Sequence, residues 1–371
     1  IYDARSPQVP NSGWGVTGNR LYRNLGNRVF EDATDVGGVR DGGWGWGAVF
    51  FDYDNDGDLD LAMTNGFETD RLETETPFKT DPTKLWRNDG GTFTDVSDSV
   101  GINDDGTGKG LLVFDYDQDG DLDLFIVNNA SGPVLYRNDM DNGNHWLRVK
   151  LRGRYSNRDG IGSVVTIVSG DDASIQRREI SGGSHYLTQS EKVAHFGLGV
   201  SADPIQRLKV RWPSGIEQEF FDVAVDQVLE VIEPESPFQA WLIEHFSEAE
   251  LSASVIVDRQ ADPDGDGLNN TLEFGLGLDP KKADSSQPIE MILGSAEGER
   301  ILRYQARWLP RGLGIQIEKS DDLQNWEACG PSDLEIFSAE ETDDWGVKIF
   351  AARLLGNLPV KYLRLRVILE D

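Results

Sequence analysis

The sequence predicts a mainly β chain folded in several domains, and three observations carry that reading. Short apolar runs are separated by 41 glycines, the spacing of many tight turns. An acidic, glycine-bearing element recurs with near identity 63 residues further on. Beyond it, stretches of alternating apolar and polar residues follow one another with few helical patterns between them. At 371 residues the chain exceeds one ordinary core, so two to four domains are expected. Hydrophobic residues make up 38% and aromatics 9%, with 10 tryptophans, enough for packed cores despite a mean hydropathy of −0.45.

Charge restricts the partners. Thirty-five basic residues against 65 acidic ones leave a net charge of −30, which repels nucleic acid and anionic membranes and makes cations the natural ligands. No stretch reaches the roughly 18 to 20 apolar residues of a membrane span, and no signal peptide is visible. The chain starts at Ile1 without a methionine, as a processed product or a fragment does. Cys329 is the single cysteine, so no internal disulfide framework exists, and bound metal is a candidate stabiliser in its place.

The repeat sets Phe51-Asp-Tyr-Asp-Asn-Asp-Gly-Asp-Leu-Asp-Leu61 beside Phe114-Asp-Tyr-Asp-Gln-Asp-Gly-Asp-Leu-Asp-Leu124. Each copy runs into an apolar strand (61–64 and 124–128) and then into Leu85-Trp-Arg-Asn88 or Leu135-Tyr-Arg-Asn138. A third copy of this last element stands at Leu21-Tyr-Arg-Asn24 with no acidic loop before it. Strands of alternating character follow at 29–34 and 92–97, so each repeat is read as a small sheet of about four strands.

These residues resemble the FG-GAP or VCBS repeat family, whose units are calcium-carrying blades of integrin-like β-propellers. The resemblance implies a partial, propeller-like blade stack, because two complete units and the tail of a third fall short of the usual four to eight blades. Either further blades lie upstream of Ile1, or the stack is open and something else covers its edges.

The acidic loops have the chemistry of calcium sites. In the first, Asp52, Asp54, Asp56 and Asp60 supply carboxylates, Gly57 takes the sharp bend, and Asp58 stands where a backbone carbonyl would ligate. Asp115, Asp117, Asp119, Asp121 and Asp123 repeat the arrangement around Gly120. Alternate acidic residues let one turn aim several hard oxygens at one point, and calcium takes six to eight of them. A third loop, Asp262-Pro-Asp264-Gly-Asp266-Gly-Leu268-Asn-Asn270-Thr-Leu-Glu273, has full EF-hand spacing. There Leu268 offers a carbonyl, Asn270 a direct or water-mediated oxygen, and Glu273 a bidentate carboxylate. Ser236-Pro237 caps a helix carrying Phe238, Trp241, Leu242 and Phe246, and a second short helix ends near Gly277. The segment is similar to the calcium modules of dockerins and thrombospondin type 3 repeats. Ca2+ at about three sites offsets six of the thirty net negative charges, so the chain stays acidic.

Between the second and third loops the pattern gives strands at 146–151, 164–169, 177–180, 193–198, 205–212 and 227–233, read as a β-sandwich. Ser156-Asn-Arg-Asp-Gly-Ile-Gly162, Gly182-Gly-Ser-His-Tyr-Leu187, His195-Phe-Gly-Leu-Gly199 and Val210-Arg-Trp-Pro-Ser-Gly215 resemble the ASPIC/UnbV domain of cartilage-acidic-protein-like chains. Arg148, Lys150 and Arg152 alternate with Leu147, Val149 and Leu151, giving a basic face that is either solvated or turned toward acidic loops of another copy. Strand patterns at 301–308, 314–320, 347–354 and 363–369 form a C-terminal β-sandwich. The domains are thus blades over 1–143, a sandwich over 144–234, an EF-hand-like module over 235–285 and a second sandwich over 286–371.

Other signals weigh little. Gly13-Trp-Gly15-Val-Thr-Gly18 follows no strand and opens no helix, unlike a dinucleotide fingerprint. His145, His185, His195 and His245 have no metalloprotease spacing, and Trp14, Trp44 and Trp46 suit packing between blades better than sugar stacking. Asn129-Ala-Ser131 is a glycosylation sequon. The expected protein is not an enzyme. It is a secreted or cell-surface calcium-binding structural or adhesion protein, self-assembling into filaments or meeting surface proteins or glycans. The alternative is a ligand- or carbohydrate-binding accessory region of a larger exported protein.

Overall fold

A computed structural model describes residues 18–67, 81–169, 174–183, 185–283, 289–293, 300–307, 313–341, 347–355 and 362–369. The glycine string at 13–17, Trp14 and Trp308 lie outside them. The chain is mainly β, with 44% strand and 8% helix. It divides into two compact units, the first holding most of residues 1–232 and the second Arg154–Ser156, Trp212–Gln218 and Glu233–Asp371.

The first unit opens with an antiparallel ribbon, β1 (Tyr22–Asn24) and β2 (Phe30–Asp32), followed by the short helix α1 (Thr34–Gly37). A four-stranded sheet comes next in sequence order: β3 (Gly45–Phe51), β4 (Asp60–Asn65), β5 (Lys84–Asp89) and β6 (Thr92–Asp95). The second repeat gives only three strands, β7 (Gly108–Phe114), β8 (Asp123–Asn128) and β9 (Val134–Tyr136). The expected fourth strand is missing because the chain after Tyr136 is used otherwise. Asn138 Nδ2 donates to the Tyr53 carbonyl at 2.7 Å, and Asn142 and Asn144 donate to the Asp54 carbonyl at 2.5 and 2.8 Å. Val49, Phe51 and Ala62 of the first sheet pack with Leu111, Val113, Leu124 and Ile126 of the second in one buried cluster.

Seven strands follow: β10 (His145–Arg152), β11 (Val164–Ser169), β12 (Ser174–Glu179), β13 (Val193–Gly199), β14 (Ile205–Arg211), β15 (Glu217–Val223) and β16 (Gln227–Ile232). They form two sheets, ordered β13-β10-β16 and β12-β11-β14-β15, with β16 parallel to β10. Leu147, Val149, Val165, Ile167, Phe196, Leu208 and Val210 are fully buried, as the two-residue period of their strands requires. Strand β15 escapes the sequence reading because its pattern is half-exposed along most of its length. The segment 185–191 also covers the free edge of β7. Thr188 Oγ1 donates to the Leu111 carbonyl (2.7 Å), the Val113 amide donates to Ser190 Oγ (2.9 Å), and the Glu191 amide donates to the Val113 carbonyl (3.3 Å). The open stack is therefore protected at this edge from within the chain.

The second unit contains α2 (Pro237–His245), α3 (Glu248–Leu251) and α4 (Asn270–Leu276). As expected, Ser236 caps α2, its Oγ accepting from the Gln239 amide, and Gly277 ends α4 with a left-handed φ of 70°. Phe238, Trp241 and Phe274 meet edge to face or stacked, with ring centroids 5.4 to 5.7 Å apart. The strands are β17 (Ile289–Leu293), β18 (Arg300–Arg307), β19 (Leu313–Ser320), β20 (Glu327–Ala328), β21 (Leu334–Glu341), β22 (Val347–Leu354) and β23 (Tyr362–Leu369). They make two sheets, β17-β18-β22-β21 and β20-β19-β23, around Leu302, Tyr304, Ala306, Ile317, Ala352 and Leu365. No helix among the described residues is long and apolar enough to cross a membrane.

Glu233 shows how two of the sequence motifs serve the fold. Its Oε2 accepts from the successive amides of Arg154, Tyr155 and Ser156 at 2.6 to 3.0 Å, and its Oε1 from the hydroxyls of Ser156 and Ser214 at 2.7 and 2.6 Å. A glutamine there would set an NH2 group against donors. Glu233→Gln is expected to lower stability by about 2 to 4 kcal/mol in urea unfolding. An unchanged midpoint would contradict this role.

Candidate metal centres

The first acidic loop lies between β3 and β4 and is built around its own amides. The Gly57 amide donates to Asp52 Oδ2 (3.0 Å) and the Asp58 amide to Asp56 Oδ1 (2.8 Å). Asp60 fastens the loop to its blade, its two oxygens accepting from the Tyr53 and Asn88 amides at 2.9 and 2.8 Å. The Asp58 side chain turns away to accept from the Gly90 amide (2.9 Å), so the side chain is engaged outside the cluster. Carboxylate oxygens of Asp52, Asp54 and Asp56 come within 4.8 Å of one another.

The chemistry of this cluster is that of a site able to hold a cation. Asp52 is 1% exposed, and its Oδ1 and that of Asp54 are buried without a hydrogen-bond partner. Burial, and then the neighbouring Asp56, push the Asp52 carboxyl up to about 7. Burial alone dominates for Asp60, pushed up to about 8. Asp54 and Asp56 are raised for the same first reason. Buried carboxylates with unused lone pairs are hard donors of the kind calcium takes, so these residues fit the ion.

The second loop, between β7 and β8, is similar in backbone but not in surroundings. The Gly120 amide donates to Asp115 Oδ2 (3.1 Å), and Asp123 accepts from the Tyr116 and Asn138 amides (2.6 and 2.8 Å). Here the converging sets are Asp115 with Asp117 and Asp123, and Asp117 with Asp119 and Asp139. Arg148 also enters this loop, donating to Asp115 Oδ2 at 2.6 Å and to Glu191 Oε1 at 2.5 Å. Arg148 is 5% exposed, so it does not belong to a solvated basic face; it meets an acidic loop of its own chain, while Lys150 and Arg152 remain exposed. Burial, then Asp119 and Asp115, push Asp121 up to about 7. Asp139 was not anticipated. Its signal is the Arg-Asn-Asp shared by both repeats, at 87–89 where it ends β5 and at 137–139 just after β9.

Strand β13 clasps the first loop. The Gly197 amide donates to Asp52 Oδ2 (3.1 Å) and the Gly199 amide to the Asn55 carbonyl (2.8 Å). A Cβ on Gly197 would overlap Asp52 and the Asn55 backbone, which explains the glycine in this motif. His195 is buried, and burial followed by the charges of Arg148 and Arg178 holds it down to about 3, a neutral structural imidazole.

In the third loop, Asp262, Asp264 and Asp266 converge within 4.8 Å. Asp262 accepts from the Gly265 and Gly267 amides at 2.8 and 2.9 Å, and the Leu268 amide donates to Asp266 Oδ1 (2.8 Å). Asn270 is fully buried, its Nδ2 donating to the carbonyls of Ile256 and Asp258 (both 2.8 Å). Its Oδ1 and Asp264 Oδ2 have no hydrogen-bond partner among the described residues, so this loop also fits a hard cation. Glu273 is fully buried on α4, outside the converging set.

The remaining signals have structural places. Trp46 packs at a tilt against Tyr186 (ring centroids 5.2 Å apart), donates from Nε1 to the Gly66 carbonyl (2.7 Å) and carries Lys109 Nζ over its ring at 3.7 Å. Trp44 packs at a tilt against Phe67, with ring centroids 4.4 Å apart. His185 Nε2 lies 2.8 Å from Ser190 Oγ, which already caps the edge of β7. Asn129 is exposed in a turn.

The repeated blades and the sandwich that clasps them define a known class of module: residues 11–63 match the FG-GAP-like repeat and residues 153–237 the ASPIC and UnbV family. The chain thus carries an FG-GAP-like repeat and an ASPIC and UnbV domain. Among curated proteins it is similar to cartilage acidic protein 1 of Mus musculus (34% identical over 139 residues, 36% of this chain) and of Homo sapiens (35% over 138 residues, 36% of this chain). The matched regions are 21% and 20% of those proteins, so the chain spans about a fifth of their length.

The raised carboxyls set a pH dependence. A carboxyl that binds its proton more tightly folded than unfolded contributes stability below its unfolded value of 3.8, and the contribution is lost as pH rises to the folded values of about 7 and 8. In chelator, the melting temperature is therefore expected to fall between about pH 5 and 8, and millimolar calcium to suppress the fall. A melting temperature that is flat or rising in chelator over this range would contradict the buried, metal-free carboxylates.

Proposed function

We propose that the chain is a calcium-stiffened extracellular structural or adhesion protein that works by holding a shape and not by catalysis. The observation that carries this is the first acidic loop: three converging carboxylates, two of them with buried and unpartnered oxygens, clasped by a strand of the sandwich. A cation there neutralises carboxylate charge that the loop amides offset only in part, and the two similar loops extend the pattern to three sites. Millimolar calcium, as found outside cells, would keep such sites filled, and binding to the folded state alone adds stability by mass action. The relatives named for cartilage support an extracellular setting.

Assembly is the finer part of the proposal. The β1–β2 ribbon and α1 leave Tyr22, Phe30 and Val36 at 58%, 60% and 82% exposed, apolar side chains suited to packing against a blade of another copy. The same side chains could receive a surface protein, with Asn129 available for glycosylation.

Calorimetric titration of the stripped protein is expected to give three calcium sites, and Asp264→Asn two. Sedimentation with and without chelator is expected to show a calcium-dependent polymer. No calcium uptake would overturn the metal reading, and a monomer at every concentration would overturn the assembly.

A further inference from the structure

Asn55 occupies the fourth position of the first acidic loop, between Asp54 and Asp56, and is 2% exposed. Its backbone is left-handed, with φ of 57°. The equivalent residue of the second loop, Gln118, has φ of 64° and an exposed side chain. The shared conformation belongs to the loop type, but the buried side chain belongs to Asn55 alone.

That side chain reaches across to the second loop. Nδ2 donates to Asp121 Oδ1 at 2.8 Å and points to the Gly120 carbonyl at 3.4 Å. Oδ1 faces His195 Nε2 at 2.7 Å. An amide oxygen only accepts, so the neutral imidazole presents its Nε2 proton there and fixes which way the amide lies. Traffic also runs the other way: Asn138, whose amide holds Asp123 of the second loop, donates its Nδ2 to the Tyr53 carbonyl of the first. Trp146 packs directly against Gly120 at the same junction.

We infer that Asn55 is a positioning residue shared by the two blade loops, so that a calcium ion in either loop raises the affinity of the other. The inference rests on the calcium reading of the loops. A cation that orders Asp115 to Asp123 fixes Asp121 and Gly120, and through them the Asn55 side chain. The backbone on either side of Asn55 carries Asp54 and Asp56, so part of the ordering that the first loop needs is then already in place. By thermodynamic reciprocity the first ion does the same for the second loop. The third loop belongs to the second unit, and its described hydrogen bonds are to its own residues and its neighbours in sequence.

Calcium titration of the full chain, with circular dichroism at saturating calcium to confirm the fold, tests this. The variants are Asn55→Gly and Gln118→Gly, because glycine accepts the left-handed backbone and only the side chain is lost. In the unaltered chain the two blade sites are expected to fill cooperatively. Asn55→Gly is expected to abolish the cooperativity and weaken both blade sites by a factor on the order of 5 to 100. The third site should be unchanged, and Gln118→Gly should keep the cooperativity. In an Asp121→Ala background, Asn55→Gly should have little further effect on the second loop. If the unaltered chain binds calcium but Asn55→Gly weakens its own loop alone, or if both glycine variants titrate alike, the shared role is wrong while the calcium reading stands. If the unaltered chain takes up no calcium, both fall together.

Discussion

Carboxylates removed from water govern this structure. Asp52, Asp60, Asp115 and Asp123 are buried at the ends of blade strands. Isolated charges in such surroundings are strongly unfavourable. The fold meets this in three ways. Loop and strand amides donate to the carboxylates, Arg148 pairs with Asp115, and the oxygens that remain are gathered where one hard cation can take them. The two loops use these means in different proportions, with Asp52 meeting the Gly197 amide where Asp115 meets a guanidinium.

The blades and most of the sandwich share one compact unit. Strand β13 closes over the first loop, Arg148 of β10 enters the second, and 185–191 covers the edge of β7. The ASPIC and UnbV motifs gain physical content from this. Gly197 permits close approach to Asp52, while Ser156 and Ser214 meet on Glu233 in the second unit.

Much of this was legible in the sequence. The near-identical acidic repeats located both blade loops, two-residue periodicity located most sandwich strands, and the Ser-Pro cap and Gly277 bounded the helices around the third loop. What escaped has common physical causes. Strand β15 is a half-exposed strand with weak alternation. The second blade lost its fourth strand because Asn138, Asn142 and Asn144 found partners in the first loop, a contact between residues some 85 to 90 positions apart that no local pattern reveals. Arg148 read as one of three basic residues on a strand face, and only the packing of β10 against the second loop distinguishes it from Lys150 and Arg152. Asp139 was hidden because it lies on neither acidic loop.

The most direct test of the central claim is amide hydrogen exchange measured in millimolar calcium and again in chelator. The amides of Gly57, Gly120, Gly197 and Gly199 donate to loop carboxylates or to the loop backbone, so they should lose protection when the cation is removed. Those in the β18–β22 pairing should not change. Equal protection of the loop and β13 amides in both conditions would show that these carboxylates are held without a metal ion and would contradict the account.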